Sequence, residues 1–431
     1  MTRYRVIWGL LLIALVGALS TGRSLWWTFA GTLFMLIVIP VVWAWLGVNW
    51  LRITRRTFTR VAQVGEVLEE EFKLTNLSRI PKLWVEVRDY STLPGHYASR
   101  VVSLVGGRQW RGWRVKTHCV QRGRYTLGPL TVCSGDPLGI YQMQRRLSIV
   151  HTILVYPATV DLLDFPLPAT FLTGGDALRR RTHHVTTNAA GVRDYMVGDS
   201  INRIHWPTSV RRQRLIVKEF ELDPIADIWV ALDLFSAAHF GPIEDDIVYT
   251  PTEHPSPAAG DEVTFWLPPR SEEYAVSIAA SVAKHFLRQG RVVGLIAHGA
   301  HREVIPGERG ERQLTKILET LAVIRAHGAI PFDRVLATES VLLTRGATLI
   351  AISAWPDPAW ALAVQEIVHN GIHVVAIVLD GRSFGAEQPS DDVIAALANA
   401  GAVVRVVRCG ASLAQAIRAE VVLASPRSPA G

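Results

Sequence analysis

Arg193, Asp194, Asp199, Arg203 and His205 lie close together in the middle of the chain, where they offer fixed charge, an acid/base group and hydrogen bonds. A hydrolase built on them would use His205 as a general base oriented by Asp199. Such a reaction needs a nucleophile in a recognisable setting, and the sequence has no Gly-x-Ser-x-Gly elbow and no reactive-cysteine signature. The competing reading is a polar clamp between domains, in which Arg–Asp pairs form bidentate bonds and a buried Trp206 supplies contact area. The clamp is the reading adopted, with Gly191, Arg193, Asp194, Tyr195, Gly198, Asp199, Arg203, His205 and Trp206 as its residues and no catalytic residue assigned.

The same residues spell Gly-x-Arg-x-Tyr-x-x-Gly-Asp over 191–199, then Arg203-Ile204-His205-Trp206 and the alternating tail Leu215–Glu221. This segment resembles the signature of the bacterial domain-of-unknown-function family fifty-eight. Arg122–Pro129 and Asp136–Gly139 look like its upstream marks, although glycine and proline turn chemistry explains both equally simply. One departure is Pro207, which stands where the pattern usually has a basic residue and removes a backbone donor and a charge. The resemblance implies a membrane-anchored protein with a von Willebrand A-like domain and a MoxR-type AAA+ ATPase as partner.

A second candidate site follows from that domain. Ile228–Leu232 is a continuous apolar run, as expected of a strand buried on both faces, and Asp233 ends it. Von Willebrand A domains hold a magnesium-type ion there through an Asp-x-Ser-x-Ser loop, using hard oxygen ligands. Here the loop reads Asp233-Leu234-Phe235-Ser236-Ala237, so Phe235 and Ala237 replace both serines, and Asp357 lies beyond the end of the Ala347–Ser353 strand. Asp233, Ser236 and Asp357 are therefore positions of a degenerate metal site, and no cofactor is expected. A metal-dependent ligand-binding domain stays as an alternative, beside the hydrolase.

The elements that position these residues fall into four parts. Two apolar stretches, Val6–Leu19 and Leu25–Leu46, open the chain, with tryptophans near their ends. Arg3 and Arg5 precede them, and Arg52, Arg55, Arg56 and Arg60 follow, against Arg23 alone in the turn. That bias places both flanks in the cytoplasm, joined by a transmembrane hairpin over 1–50 with spans at about 6–22 and 25–46. A cleaved signal peptide ending near Ser20, followed by a stop-transfer segment, gives the same topology. Residues 54–168 alternate apolar with polar between turn signals and read as a small β-sandwich-like domain. The signature segment and clamp occupy 169–222.

Residues 223–425 alternate strand and helix: helices over 272–289 and 311–326, strands at 292–297, 347–353, 373–379 and 403–407. This implies a parallel sheet covered on both faces. With Asp233 at the end of its first strand, the region resembles a von Willebrand A-like (Rossmann-type) α/β domain. It carries a proline-rich, acidic insertion over 241–270, long enough to act as a lid or binding loop.

Composition narrows the function further. The chain has 431 residues, about half apolar, and a net charge of +7. Its basic runs Arg179–Arg181 and Arg211–Arg212 are short and lack accompanying aromatics, so nucleic acid is not the favoured partner. Three cysteines, with no C-x-x-C pair, argue against a zinc site or a disulfide framework. His183-His184 has no organised carboxylate or cysteine beside it, and no phosphate-binding glycine pattern occurs. The expected function is a non-enzymatic membrane scaffold or adaptor acting through protein–protein interaction.

Overall fold

The computed structural model describes residues 2–162, 165, 189–196, 204–220, 227–242 and 267–418. Two compact units emerge, one built mostly from residues 1–158 and the other from most of the remainder.

The first unit opens with α1 (Thr2–Thr21) and α2 (Ser24–Val48). Among the described residues, α2 alone is long and apolar enough to cross a membrane, whereas the apolar part of α1, Val6–Thr21, is shorter. The helices approach closely at Gly17, where an added Cβ would meet the Trp26 ring at 2.8 Å. Asn49 ends α2, its backbone N–H and its side chain both donating to the Trp45 carbonyl.

Ten strands follow: β1 (Leu51–Thr57), β2 (Val61–Gln63), β3 (Val67–Asn76), β4 (Lys82–Asp89), β5 (Arg100–Val105), β6 (Trp110–His118), β7 (Gly123–Leu127), β8 (Leu130–Gly135), β9 (Gln142–Leu147) and β10 (His151–Tyr156). They form sheets in the orders β1-β3-β6, β5-β4-β8-β9 and β2-β10-β7. Alternation along β1 and β3 points Leu51, Ile53, Phe72 and Leu74 into a core with Val85, Val87, Trp113, Leu130 and Val132. Asp136 is a turn residue, its carboxylate accepting from the Leu138 and Tyr141 N–H groups at 2.9 and 2.6 Å.

Inside this sandwich sits a buried ionic network that the alternating pattern conceals. The Arg55 guanidinium donates to both oxygens of Glu70, at 2.8 and 2.9 Å, and lies 3.4 Å from Asp89 Oδ1. His96 bonds Asp89 Oδ2 through Nε2 at 2.9 Å and Thr117 Oγ1 through Nδ1 at 2.8 Å. Burial pushes the Asp89 carboxyl up, but bonds from His96 and Ser91 and the Arg55 charge outweigh it and hold the group below the usual range.

The second unit holds a six-stranded sheet of β13 (Ile228–Leu232), β14 (Val293–His298), β15 (Arg302–Glu308), β16 (Thr348–Ser353), β17 (His373–Leu379) and β18 (Val403–Val407). Its order is β15-β14-β13-β16-β17-β18, parallel except for β15. The sheet is therefore mixed, where the sequence reading has it parallel. Gly299-Ala300-His301 is short enough to turn the chain straight back, so β14 and β15 form a hairpin instead of a crossover.

The helices are α4 (Ser271–Arg288), α5 (Glu311–Val323), α6 (Phe332–Glu339), α7 (Ala359–His369), α8 (Asp391–Asn399) and α9 (Leu413–Arg418), with α3 (Trp206–Arg212) lying earlier in the chain. Trp229 and Ala231 of β13 point toward Phe332, Trp360, Val364 and Leu397, and the alternate residues Val230 and Leu232 face the other way. The stretch after β10 packs within this second unit: Val160 N–H donates to Ser281 Oγ at 3.0 Å, and Phe165 meets Phe286 edge-on at 5.3 Å.

Arg55→Ala leaves Glu70 and Asp89 buried without their cation and should destabilise the first unit by about 3–5 kcal/mol. Because the Asp89 carboxyl is depressed in the folded state, its contribution is present above the unfolded carboxylate pKa. It should fade as pH falls through the folded value. Denaturation midpoints of the detergent-solubilised chain against pH test both; a wild-type-like Arg55→Ala midpoint would refute the network's role.

Candidate functional site

Counted from β13, the sheet order is three-two-one-four-five-six, the arrangement whose direction reverses between the first and fourth strands. Ligands of doubly wound sheets sit at that reversal, beyond the strand C-termini. Here Asp233 follows β13 and Ser353 ends β16, and the two meet: Ser353 Oγ donates to Asp233 Oδ2 at 2.6 Å. The other carboxyl oxygen accepts from the Phe235 N–H at 3.0 Å, and Ser353 Oγ accepts from the Trp355 N–H at 2.9 Å. Beyond the pair, the Phe235 and Trp355 rings meet edge-on at 5.4 Å.

Asp233 is 1% exposed and Ser353 is fully buried. Burial pushes the Asp233 carboxyl up, against the opposing influence of His239, Ser353 and the Phe235 N–H, while Asp333 adds to the rise. His239 Nε2 lies 2.9 Å from the Asp233 carbonyl, and its Nδ1 lies 3.2 Å from Ser271 Oγ. The pair is thus a tie between neighbouring strands, inaccessible to a substrate.

The positions expected to form a degenerate metal site do not converge on it. Ser236 is exposed in a short 3₁₀ turn, with its N–H given to the Gly328 carbonyl. Asp357 is exposed as well, and its Oδ1 accepts from the Ala359 N–H at the start of α7. Both Asp233 oxygens already have donors, and among the described residues no group of three or more His, Cys, Asp or Glu could hold an ion. This donor set does not fit a hard divalent cation, which takes six or more oxygens.

Further along the same strand-end edge, at β14, His298 and Arg302 converge on the buried Glu339. His298 Nε2 lies 2.9 Å away, and Arg302 grips both oxygens at 2.6 and 2.8 Å. The Arg302 guanidinium holds the Glu339 carboxyl below the usual range. Neither Ser353 nor Glu339 was singled out by sequence. Ser353 has a signal in hindsight, a hydroxyl closing an apolar run opposite a buried aspartate; Glu339 has none.

The signature segment folds locally. β11 (Ala189–Asp194) pairs antiparallel with β12 (Ile216–Phe220), bringing Gly191 opposite Glu219 and Arg193 opposite Val217. Tyr195 continues the ladder, its N–H donating to the Leu215 carbonyl. Between the strands, His205 caps α3, its Nδ1 accepting from the Thr208 N–H at 3.3 Å. A neutral imidazole accepting at Nδ1 carries its proton on Nε2, so the cap occupies the lone pair a general base needs.

Asp194 pairs with Arg214 at 2.9 Å, both exposed, so this contact closes its own hairpin. Trp206 corrects the sequence reading: expected buried, it is 57% exposed. The physical reason is that the short α3 turns only Ser209 inward, where Ser209 Oγ accepts from the Ile216 N–H at 2.9 Å. Gly198, Asp199 and Arg203, and positions 243–266 of the acidic insertion, lie outside the described residues.

Residues 191–247 match the family described as Protein of unknown function DUF58. The match covers most of the signature hairpin and the Asp233 loop. A relative, Uncharacterized protein YeaD of Bacillus subtilis (strain 168), is 25% identical over 216 residues. That alignment covers 50% of this chain and 46% of the relative, so the chain spans about half the length of the curated relative it matches. Both findings support the DUF58 family. Among solved structures, the CARDB domain of PF1109 from Pyrococcus furiosus is 22% identical over 24% of this chain and 91% of its own, with a TM-score of 0.19. The DNA glycosylase AlkC of Pseudomonas fluorescens is 17% identical over 32% of this chain and 41% of its own, at 0.18. Neither likeness carries an argument.

Two substitutions test the site. Asp233→Asn keeps a partner for Ser353 and for the Phe235 N–H without an ionisable group. Because a raised folded-state pKa favours folding only at acid pH and is lost as pH rises through it, the variant should melt at or above wild type at neutral pH. A large drop instead would mean that Asp233 works as an anion. His205→Ala should cost about 1 kcal/mol through the lost cap, and His205→Asn should restore it.

Proposed function

We propose that this chain is a non-enzymatic, membrane-anchored scaffold or adaptor that works through protein–protein interaction, with a MoxR-type AAA+ ATPase as its partner in assembling or maturing a protein complex. The observation that carries the reading is the surface of the signature hairpin. Met196, Trp206, Val210 and Leu215 are all exposed there, Val210 at 74%, beside the exposed Arg211, Arg212 and Arg214. Tryptophan and arginine are the residue types enriched in interface hot spots, and exposed apolar patches mark interaction sites. The Asp233–Ser353 pair supports the same reading, because it is buried and both carboxyl oxygens already accept hydrogen bonds within the fold.

The anchor in this reading is a transmembrane hairpin of α1 and α2, with the remainder in the cytoplasm. It rests on the length and composition of α2 and on the arginines Arg52, Arg56 and Arg60 that follow it.

The test is an affinity pull-down of the detergent-solubilised full-length protein from its native cells, beside the Trp206→Ser/Val210→Asp variant. Near-stoichiometric recovery of an AAA+ ATPase, reduced more than about tenfold in the variant at an unchanged melting temperature, is the expected result. Recovery of no ATPase with wild type would sink the adaptor reading. A turnover by the purified protein would favour the hydrolase alternative.

A further inference from the structure

At the C-terminal end of α2, between strands β1 and β9 at the edges of their sheets, lies a cavity of about 490 Å³. Trp45, Trp50, Leu147 and Ile149 form much of its apolar wall, and Arg52 and Arg145 line it as well. The two indoles stand edge-on at 5.2 Å. Arg145 Nη2 donates to the Leu51 carbonyl at 3.0 Å, so the side chain bridges the two edge strands.

We propose that this cavity seats an anionic phospholipid, with the headgroup phosphate on Arg52 and Arg145 and an acyl chain along α2. The inference rests on the membrane-anchor reading. Ile39, Val42 and Trp45 are all exposed and spaced three apart along α2, giving an apolar track on the helix that ends at the cavity. Indole and arginine side chains together suit the level of lipid headgroups, where one end of the site is apolar and the other wet.

A helix C-terminus ordinarily repels an anion through its unpaired carbonyls. Here two carbonyls of the last turn are covered. Asn49 donates to the Trp45 carbonyl through its backbone N–H and Nδ2, and Lys82 Nζ donates to that of Leu46. The Lys82 ammonium also lies 6.0 Å from the Trp50 ring, adding a third positive charge beside the cavity. A partner's β-strand is a poorer occupant, because the Arg145 bridge crosses the gap between the two edges and takes the Leu51 carbonyl that such a strand would use.

The experiment is native mass spectrometry of the detergent-solubilised full-length protein, given equimolar phosphatidylglycerol and phosphatidylcholine. Wild type is compared with Arg52→Gln, Arg145→Gln and the double variant. The expected result is selective retention of phosphatidylglycerol, falling about fivefold for each arginine removed. Equal retention of the two lipids, or undiminished selectivity in the double variant, overturns the proposal. Release of the lipid by sodium glycerol phosphate would also overturn it, assigning the site to a soluble anion.

If Arg145→Gln lowers the melting temperature, Arg145→Lys replaces it and should fold and retain most of the selectivity; its losing selectivity while folded would refute a charge-based site. An alkaline carbonate wash of native membranes separates the two readings. A chain that washes off fails the anchor and the lipid site together, whereas one that stays without lipid preference fails the lipid site alone.

Discussion

A carboxyl group with no access to water must either give up its charge or find a full set of donors, and Asp233 sits under that constraint. Its hydrogen bond from Ser353 joins the first and fourth strands at the point where the sheet order reverses. The next residues on either side lean on the pair, since Phe235 and Trp355 each give a backbone N–H to one of its members before their rings meet. The strand ends of the second unit are thus organised around one buried bond. That bond and the one from the Phe235 N–H occupy both carboxyl oxygens, so the strand ends are tied to each other at the reversal.

The first unit meets a related constraint differently. Four polar side chains, Arg55, Glu70, Asp89 and His96, are packed inside the sandwich, where each charge needs a partner. The Arg55 guanidinium also lies 5.1 Å from the centre of the Phe72 ring, linking the ionic cluster to the apolar core. Such a cluster fixes relative positions among strands that alternation alone would leave free to slip.

The sequence made the framework of the second unit readable because strands buried on both faces are written as unbroken apolar runs. Ile228–Leu232, Ala347–Ser353, His373–Leu379 and Val403–Val407 each coincide with a strand to within a residue. The edge strand β15 escaped notice because Arg302-Glu303-Val304 and Gly307-Glu308 interrupt its apolar pattern, as befits a strand with one side unpaired. The ionic network was invisible for another reason: Arg55 and His96 are 41 residues apart, and nothing local marks them as neighbours. The signature segment was recognised as a unit, but the environment of its tryptophan was not, because exposure depends on how little of α3 the hairpin covers. For the candidate site, Asp233 was legible from its place after an apolar strand, whereas Ser353 could be paired with it only through the strand order.

The junction between α2 and β1 consists of Asn49 and Trp50 alone. The helix also presses directly on the sandwich, close enough at Gly47 that an added Cβ would come within 2.6 Å of Ser134 Oγ. A joint this short, clamped on its flank, has no slack to act as a swivel. The sandwich therefore inherits the tilt and rotation of the helix, and a torque applied to one is delivered to the other as in a handle fixed to its blade.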